Sequence, residues 1–196
     1  MSRDTIARTV FGVTYETIVR RILATFDRAT ASDIESGARW YDEAGTLAVN
    51  MASAHSLTLE QTASVIAALS PRTTWERNVL GAAAYFCGGP DAARRVVFLS
   101  ANVDKAIVAE RDGFGAFGPT APKTASFARN IAGDRETVTV DVWACRVADL
   151  DEARLSRKGA YDVVADAYRA AARRRGVDPA TMQATTWIVA RNGRAS

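Results

Sequence analysis

Two residues with chemistry to offer stand eighteen positions apart: Lys123 in Pro122-Lys123-Thr124-Ala125, and Asp141 in Val140-Asp141-Val142-Trp143-Ala144-Cys145-Arg146-Val147. A lysine amine can add to an electrophilic carbon and form a Schiff base, and a carboxylate can stabilise the positive charge that develops on a sugar as its glycosidic bond breaks. Each residue also has a plainer reading. Lys123 can be an exposed cation that contacts a phosphate, and Asp141 can be only the N-cap of the helix after it. Lys123 is one of three lysines among 25 basic residues, beside Lys105 and Lys158. The preference for arginine needs no functional cause, but it makes this position informative, because an arginine cannot deprotonate to become a nucleophile.

These residues need a scaffold, and a chain of 196 residues with 48% hydrophobic content can fill a globular core. No apolar run approaches the roughly 20 residues that span a bilayer, and Met1-Ser2-Arg3-Asp4 lacks the order of a secretory signal. A cytoplasmic chain without membrane contact is expected. Cys87 and Cys145 have no metal-ligand spacing and are expected as small buried hydrophobes, and the single histidine, His55, excludes schemes that need several imidazoles. His55 is expected as an ordinary helix-end residue. No metal and no cofactor is expected. The net charge of +3 and the clusters Arg20-Arg21, Arg94-Arg95 and Arg173-Arg174-Arg175 suit a polyanionic partner without requiring one.

The elements that must carry the candidates read as helices throughout. Thr14 caps a helix over 14–27, and Ser32 with Glu35 opens a second whose inner face is Ile34, Ala38, Tyr41, Gly45, Ala48 and Met51. Thr58 with Gln61 and Thr73 with Glu76 open two more, the latter running to about Phe86, so Ser70-Pro71-Arg72 is a tight corner. Gly88-Gly89-Pro90 breaks the chain before helices near 91–96 and 101–111, and Gly113 to Pro119 is an irregular loop. Helix resumes at Pro122 and ends at Gly133. Thr137 to Val140 is extended chain feeding a helix capped by Asp141, and further helices cover 157–175, with Tyr161, Val164, Tyr168 and Ala171 inward, and 179–191. The fold class is all-α, in one domain over 1–196.

The Lys-Thr-Ala and the Asp followed by Arg-Val, at this interval, resemble the catalytic core of the helix-hairpin-helix DNA glycosylases, the endonuclease III-like superfamily. The resemblance covers about 59–146 and extends loosely to Gln183-Ala184-Thr185-Thr186-Trp187. It implies a two-lobed helical fold with a cleft between lobes, in which the N- and C-terminal helices form the second lobe. It further implies an enzyme that flips a damaged or modified base out of DNA and cleaves its N-glycosidic bond. Asp141 would then support cleavage, and Lys123 would add lyase activity through a Schiff base. Leu69-Ser70-Pro71-Arg72 falls where this superfamily has a Leu-Ser followed by a polar residue that plugs the gap left by the flipped base, which gives Arg72 that role. Thr120, Thr124 and Arg146 would contact DNA, and Trp75, Glu76, Asn78 and Trp143 would line the base pocket, although Trp75 reads equally well as core.

The chain departs from that pattern at three points. Pro119-Thr120-Ala121-Pro122 replaces the Gly-x-Gly whose amides grip a phosphate, and two prolines have no N–H to give. Trp143 stands where a histidine is common, and the C-terminal cysteines of the iron–sulfur branch are missing. Two other outcomes fit these departures: an enzyme of the same fold that modifies a flipped base, as in viral DNA with hypermodified pyrimidines, and a helical DNA-binding protein without catalysis. The target base, the strandedness of the substrate and the oligomeric state are not legible.

Overall fold

Most helices in this chain begin where the sequence supplies a side-chain oxygen to an unpaired N–H. In the computed structural model, which describes residues 1–193, the helices are α1 (Arg3–Phe11), α2 (Tyr15–Phe26), α3 (Ala31–His55), α4 (Leu59–Leu69), α5 (Trp75–Arg94), α6 (Ser100–Asp112), α7 (Pro122–Ile131), α8 (Val142–Val147), α9 (Ala160–Arg175) and α10 (Pro179–Arg191). Short 3-10 turns stand at Gly113–Ala116 and Glu152–Ser156, and no strand occurs among the described residues. The protein is all-α. None of these helices is long and apolar enough to cross a membrane.

The caps explain most of the starts. Thr14, Thr58 and Asp178 accept from the N–H three residues on, and Thr58 with Gln61 closes a reciprocal capping box. Two starts differ from the sequence expectation. At α3 the reciprocal pair is Thr30 and Asp33, because the helix begins two residues earlier; Glu35 instead pairs with Arg39 on the surface. At α5 the cap is Thr74, which accepts from Arg77, while Thr73 is drawn into the preceding turn by its N–H bond to the Ser70 carbonyl. The inner face of α3 is also rotated, with Gly37, Tyr41, Ala44, Ala48 and Ala52 buried.

The chain divides into two compact units: Met1–Tyr41 with the chain from Asp134 onward, here the terminal unit, and Asp42–Gly133, the central unit. In the terminal unit α2, α8, α9 and α10 pack around Ile18, Val19, Ile22, Val164, Tyr168 and Met182. Here α3 and α10 approach very closely: a Cβ on Gly37 would lie 2.8 Å from the Thr185 nitrogen and 2.9 Å from its Cα. Only glycine fits that crossing.

The central unit is organised around α4, whose residues Thr62 to Leu69 are all buried and which packs against α5, α6, α7 and the 3-10 turn at Gly113–Ala116. A helix buried on every side is apolar on every side, as this one is apart from its hydroxyls. α5 is two helices that meet at a kink, as the expected break at Gly88-Gly89-Pro90 requires: Gly89 has φ 75° and ψ −176°, a non-helical conformation open to glycine and costly for any other residue, and a short second helix runs on to Arg94.

Candidate functional site

Asp141 is fixed by what precedes it. Residues Val138, Thr139 and Val140 are buried in extended conformation, and the Tyr161 hydroxyl serves them as one rung of a ladder: it accepts from the Val140 N–H at 3.0 Å and donates to the Val138 carbonyl at 3.1 Å. Tyr41 holds the other side. Its hydroxyl donates to Gln183 Oε1 at 2.9 Å and shares a hydrogen bond with Thr139. Arg135 stacks 5.9 Å above the Tyr41 ring, and its carbonyl accepts from the Ala180 N–H that opens α10.

At the end of this pinned segment Asp141 is half-buried, and Oδ1 accepts from the Ala144 N–H at 2.8 Å, as the expected cap of α8. Burial raises the Tyr41 and Tyr168 phenols above their ordinary range, and the Asp141 charge adds to this in both cases. Burial, then Asp141, also pushes the Cys145 thiol up to about 12. These three groups are therefore neutral at physiological pH, and Tyr41 acts as a hydrogen-bond donor. One turn along α8, the Arg146 guanidinium lies 4.6 Å above the half-buried Trp143 ring.

The other candidates lie in the central unit. The corner after α4 turns through Arg72, which is exposed and has φ 63°, a left-handed conformation that costs an ordinary residue about 1–2 kcal/mol. Asn102 of α6 secures the corner by donating from Nδ2 to the Pro71 carbonyl at 3.0 Å. Trp75, the first residue of α5, is half-buried and meets Phe127 of α7 edge to face at 6.3 Å. Phe127 is four residues after Lys123, so the two share one face of α7. The 3-10 turn before α7 is held by Glu60, which accepts from the Phe114 N–H at 2.9 Å, and by Arg129, whose guanidinium covers the Phe114 ring at 4.7 Å.

Thr120 is exposed in a turn closed by the Ala121 N–H on the Gly118 carbonyl. No side chain caps α7. Its first-turn N–H groups, at Lys123 and Thr124, therefore have no intrahelical partner, and they supply donors where the prolines supply none.

Lys123 and Glu76 are exposed in the first turns of α7 and α5. Two expectations need correction. Asn78 is 1% exposed inside the central unit, where no base can touch it as the chain is folded, and neither end of its amide has a partner. Cys87 is exposed on α5 while Cys145 is buried. The arginine clusters are largely spent inside the terminal unit and on α6: Arg174 forms two bonds to Glu16, Arg175 pairs with Asp27, and Arg94 with Asp104. By contrast, no ion pair engages Arg72, Lys123 or Arg146 among the described residues.

Sequence reasoning missed Tyr41, Tyr161, Thr139 and Gln183 as the residues that set Asp141. Tyr41 and Tyr161 were legible as inward-facing aromatics, but nothing in the sequence says where a phenolic hydroxyl will end.

No curated protein and no solved structure matches the chain. A family profile does match it, over residues 4–194: the chain belongs to DUF7178, a family of unknown function.

Proposed function

We propose that this protein is a glycosylase-like, base-flipping enzyme acting on DNA, of helix-hairpin-helix type. The observation that carries the reading lies within the central unit. A strained, exposed arginine corner and α7 are joined through the Trp75–Phe127 contact, with Arg72 three residues before Trp75, and with Lys123 and the uncapped first turn of α7 about one turn before Phe127. Two unneutralised cations and open amides suit the phosphates of a strand, and a residue held in a strained conformation at a corner suits insertion into a stack.

In this reading Asp141, presented at a fixed angle by the Tyr161 and Tyr41 bonds, stabilises positive charge on the sugar as the base leaves. Lys123 adds to C1′, and the resulting Schiff base permits elimination of the 3′ phosphate. A second reading, in which the flipped base is modified and not released, is favoured by the exposure of Lys123, since Schiff-base lysines commonly work from water-poor sites.

Borohydride trapping on duplex DNA carrying an abasic site separates the two. The glycosylase–lyase reading expects a covalent adduct with the wild-type chain and none with Lys123→Gln, while DNA affinity is retained within a few-fold. No adduct with wild type removes the lyase step. No salt-dependent binding to any nucleic acid removes the whole reading.

A further inference from the structure

The central unit holds a cavity of about 270 Å³ that none of the candidate residues lines. It forms where the last residue of α3, the kink of α5 and the C-terminal half of α6 meet. His55 stacks on Phe86 with ring centroids 5.4 Å apart and planes 27° from parallel, and Tyr85 meets Phe86 edge to face at 5.5 Å. Leu57 and Pro90 complete an apolar wall. The kink matters to the lining, because Pro90 offers no N–H to the Phe86 carbonyl four residues back.

Glu110 supplies the only carboxylate on this wall. The Tyr85 hydroxyl donates to its Oε2 at 2.7 Å, which fixes the carboxylate, and burial followed by Glu110 itself keeps the Tyr85 phenol protonated far above its ordinary range. The other carboxylate oxygen takes no bond, and no basic side chain pairs with Glu110, among the described residues. Arg111, next in sequence, is committed to Asp112 by two bonds. A half-buried carboxylate without a counter-charge is unfavourable, and a cation that enters beside it relieves that cost.

The walls select among cations. One carboxylate gives too few oxygens for a divalent metal, which takes six or more ligands. Aromatic faces attract organic cations through their ring quadrupoles, and Leu57 and Pro90 accept a hydrocarbon body. A volume of about 270 Å³, some nine times the share of one liquid water, lies just under the range of drug-sized sites and limits the guest to a small molecule.

We propose that this cavity is a binding site for a small organic amine in its ammonium form, with the charge on Glu110 and the carbon body against Phe86, Leu57 and Pro90. The site does not depend on the DNA reading, since every residue in it lies in the central unit and its ligand is free in solution.

The test is calorimetric or saturation-transfer titration of the full chain, without nucleic acid, using benzylammonium and its uncharged counterpart benzyl alcohol. Benzylammonium is expected to bind at about 1 mM or tighter, and benzyl alcohol at least ten-fold more weakly. Glu110→Gln keeps an acceptor for the Tyr85 hydroxyl and so keeps the fold, and it is expected to weaken benzylammonium at least ten-fold while leaving benzyl alcohol unchanged. Phe86→Ala is expected to weaken both. No binding by the wild-type chain, or a difference below ten-fold either between the two probes or on Glu110→Gln, overturns the proposal.

Discussion

Asp141 offers the sharpest separation between a residue that only shapes a helix and one that also acts on a substrate, because asparagine can replace it in the first role and not in the second. In the structure its Oδ1 accepts from the Ala144 N–H at 2.8 Å and caps α8. Asparagine caps a helix about as well as aspartate, whereas alanine loses about 1 kcal/mol. For a chain of this length 1 kcal/mol shifts the melting temperature by about 2–4 °C. Asp141→Asn is therefore expected to melt within about 1–2 °C of wild type, and Asp141→Ala about 2–4 °C lower or somewhat more, since the half-buried site adds the cost of lost packing. Base release should respond differently. Loss of one fixed electrostatic stabiliser costs about 10²–10³ in rate, so both variants should lose release about equally.

The assay is base release from duplexes carrying deaminated, alkylated, oxidised or hydroxymethylated bases, scored by strand scission in alkali, beside thermal melts of the same preparations. If Asp141→Asn releases base at the wild-type rate, Asp141 is a cap and nothing more. If Asp141→Asn melts as low as Asp141→Ala, the cap geometry is not what Asp141 contributes to stability.

Three further outcomes test the packing. Gly37→Ala places a methyl against the Thr185 backbone; overpacking at the upper end of about 1–3 kcal/mol, offset by about 1 kcal/mol of helix propensity, leaves a net loss of about 2 kcal/mol and a lower urea midpoint, and unchanged or raised stability would refute the crossing. Cys145, Tyr41 and Tyr168 all have folded-state pKa values raised by burial. Between the ordinary and the raised values the folded chain binds more protons than the unfolded one, so stability should be full below about pH 9 and fall as pH rises through 9 to 11. Urea midpoints measured across that range check the sign, and a flat profile contradicts it. At pH 8 a thiol reagent should modify Cys87 in the native chain and reach Cys145 only on unfolding.

The helices and many of their boundaries were legible because they depend on local chemistry. Thr14, Thr58, Asp141 and Asp178 cap where a short polar side chain precedes an apolar run, and such bonds close within three residues. Neighbouring hydroxyls defeat this logic. Thr30, paired with Asp33, caps α3 in place of Ser32, and Thr74 caps α5 in place of Thr73, where the corner set by Arg72 and by the Asn102 bond to Pro71 decides which hydroxyl faces the first turn.

The sequence by itself determined that the chain is helical, that Asp141 opens a helix and that Lys123 sits in the first turn of another. Only the tertiary structure decided that Tyr161 and Tyr41 pin the segment leading to Asp141, that Trp75 ties the Arg72 corner to the face of α7 bearing Lys123, and that most of the clustered arginines are already paired. The same holds for the burial of Asn78 and for the cavity at Glu110, whose residues come from three helices and the connection after α3. The reason is range. Propensity and capping act over three or four residues, whereas a hydroxyl, a guanidinium or a carboxylate takes whichever partner the packing of distant helices brings within 3 Å.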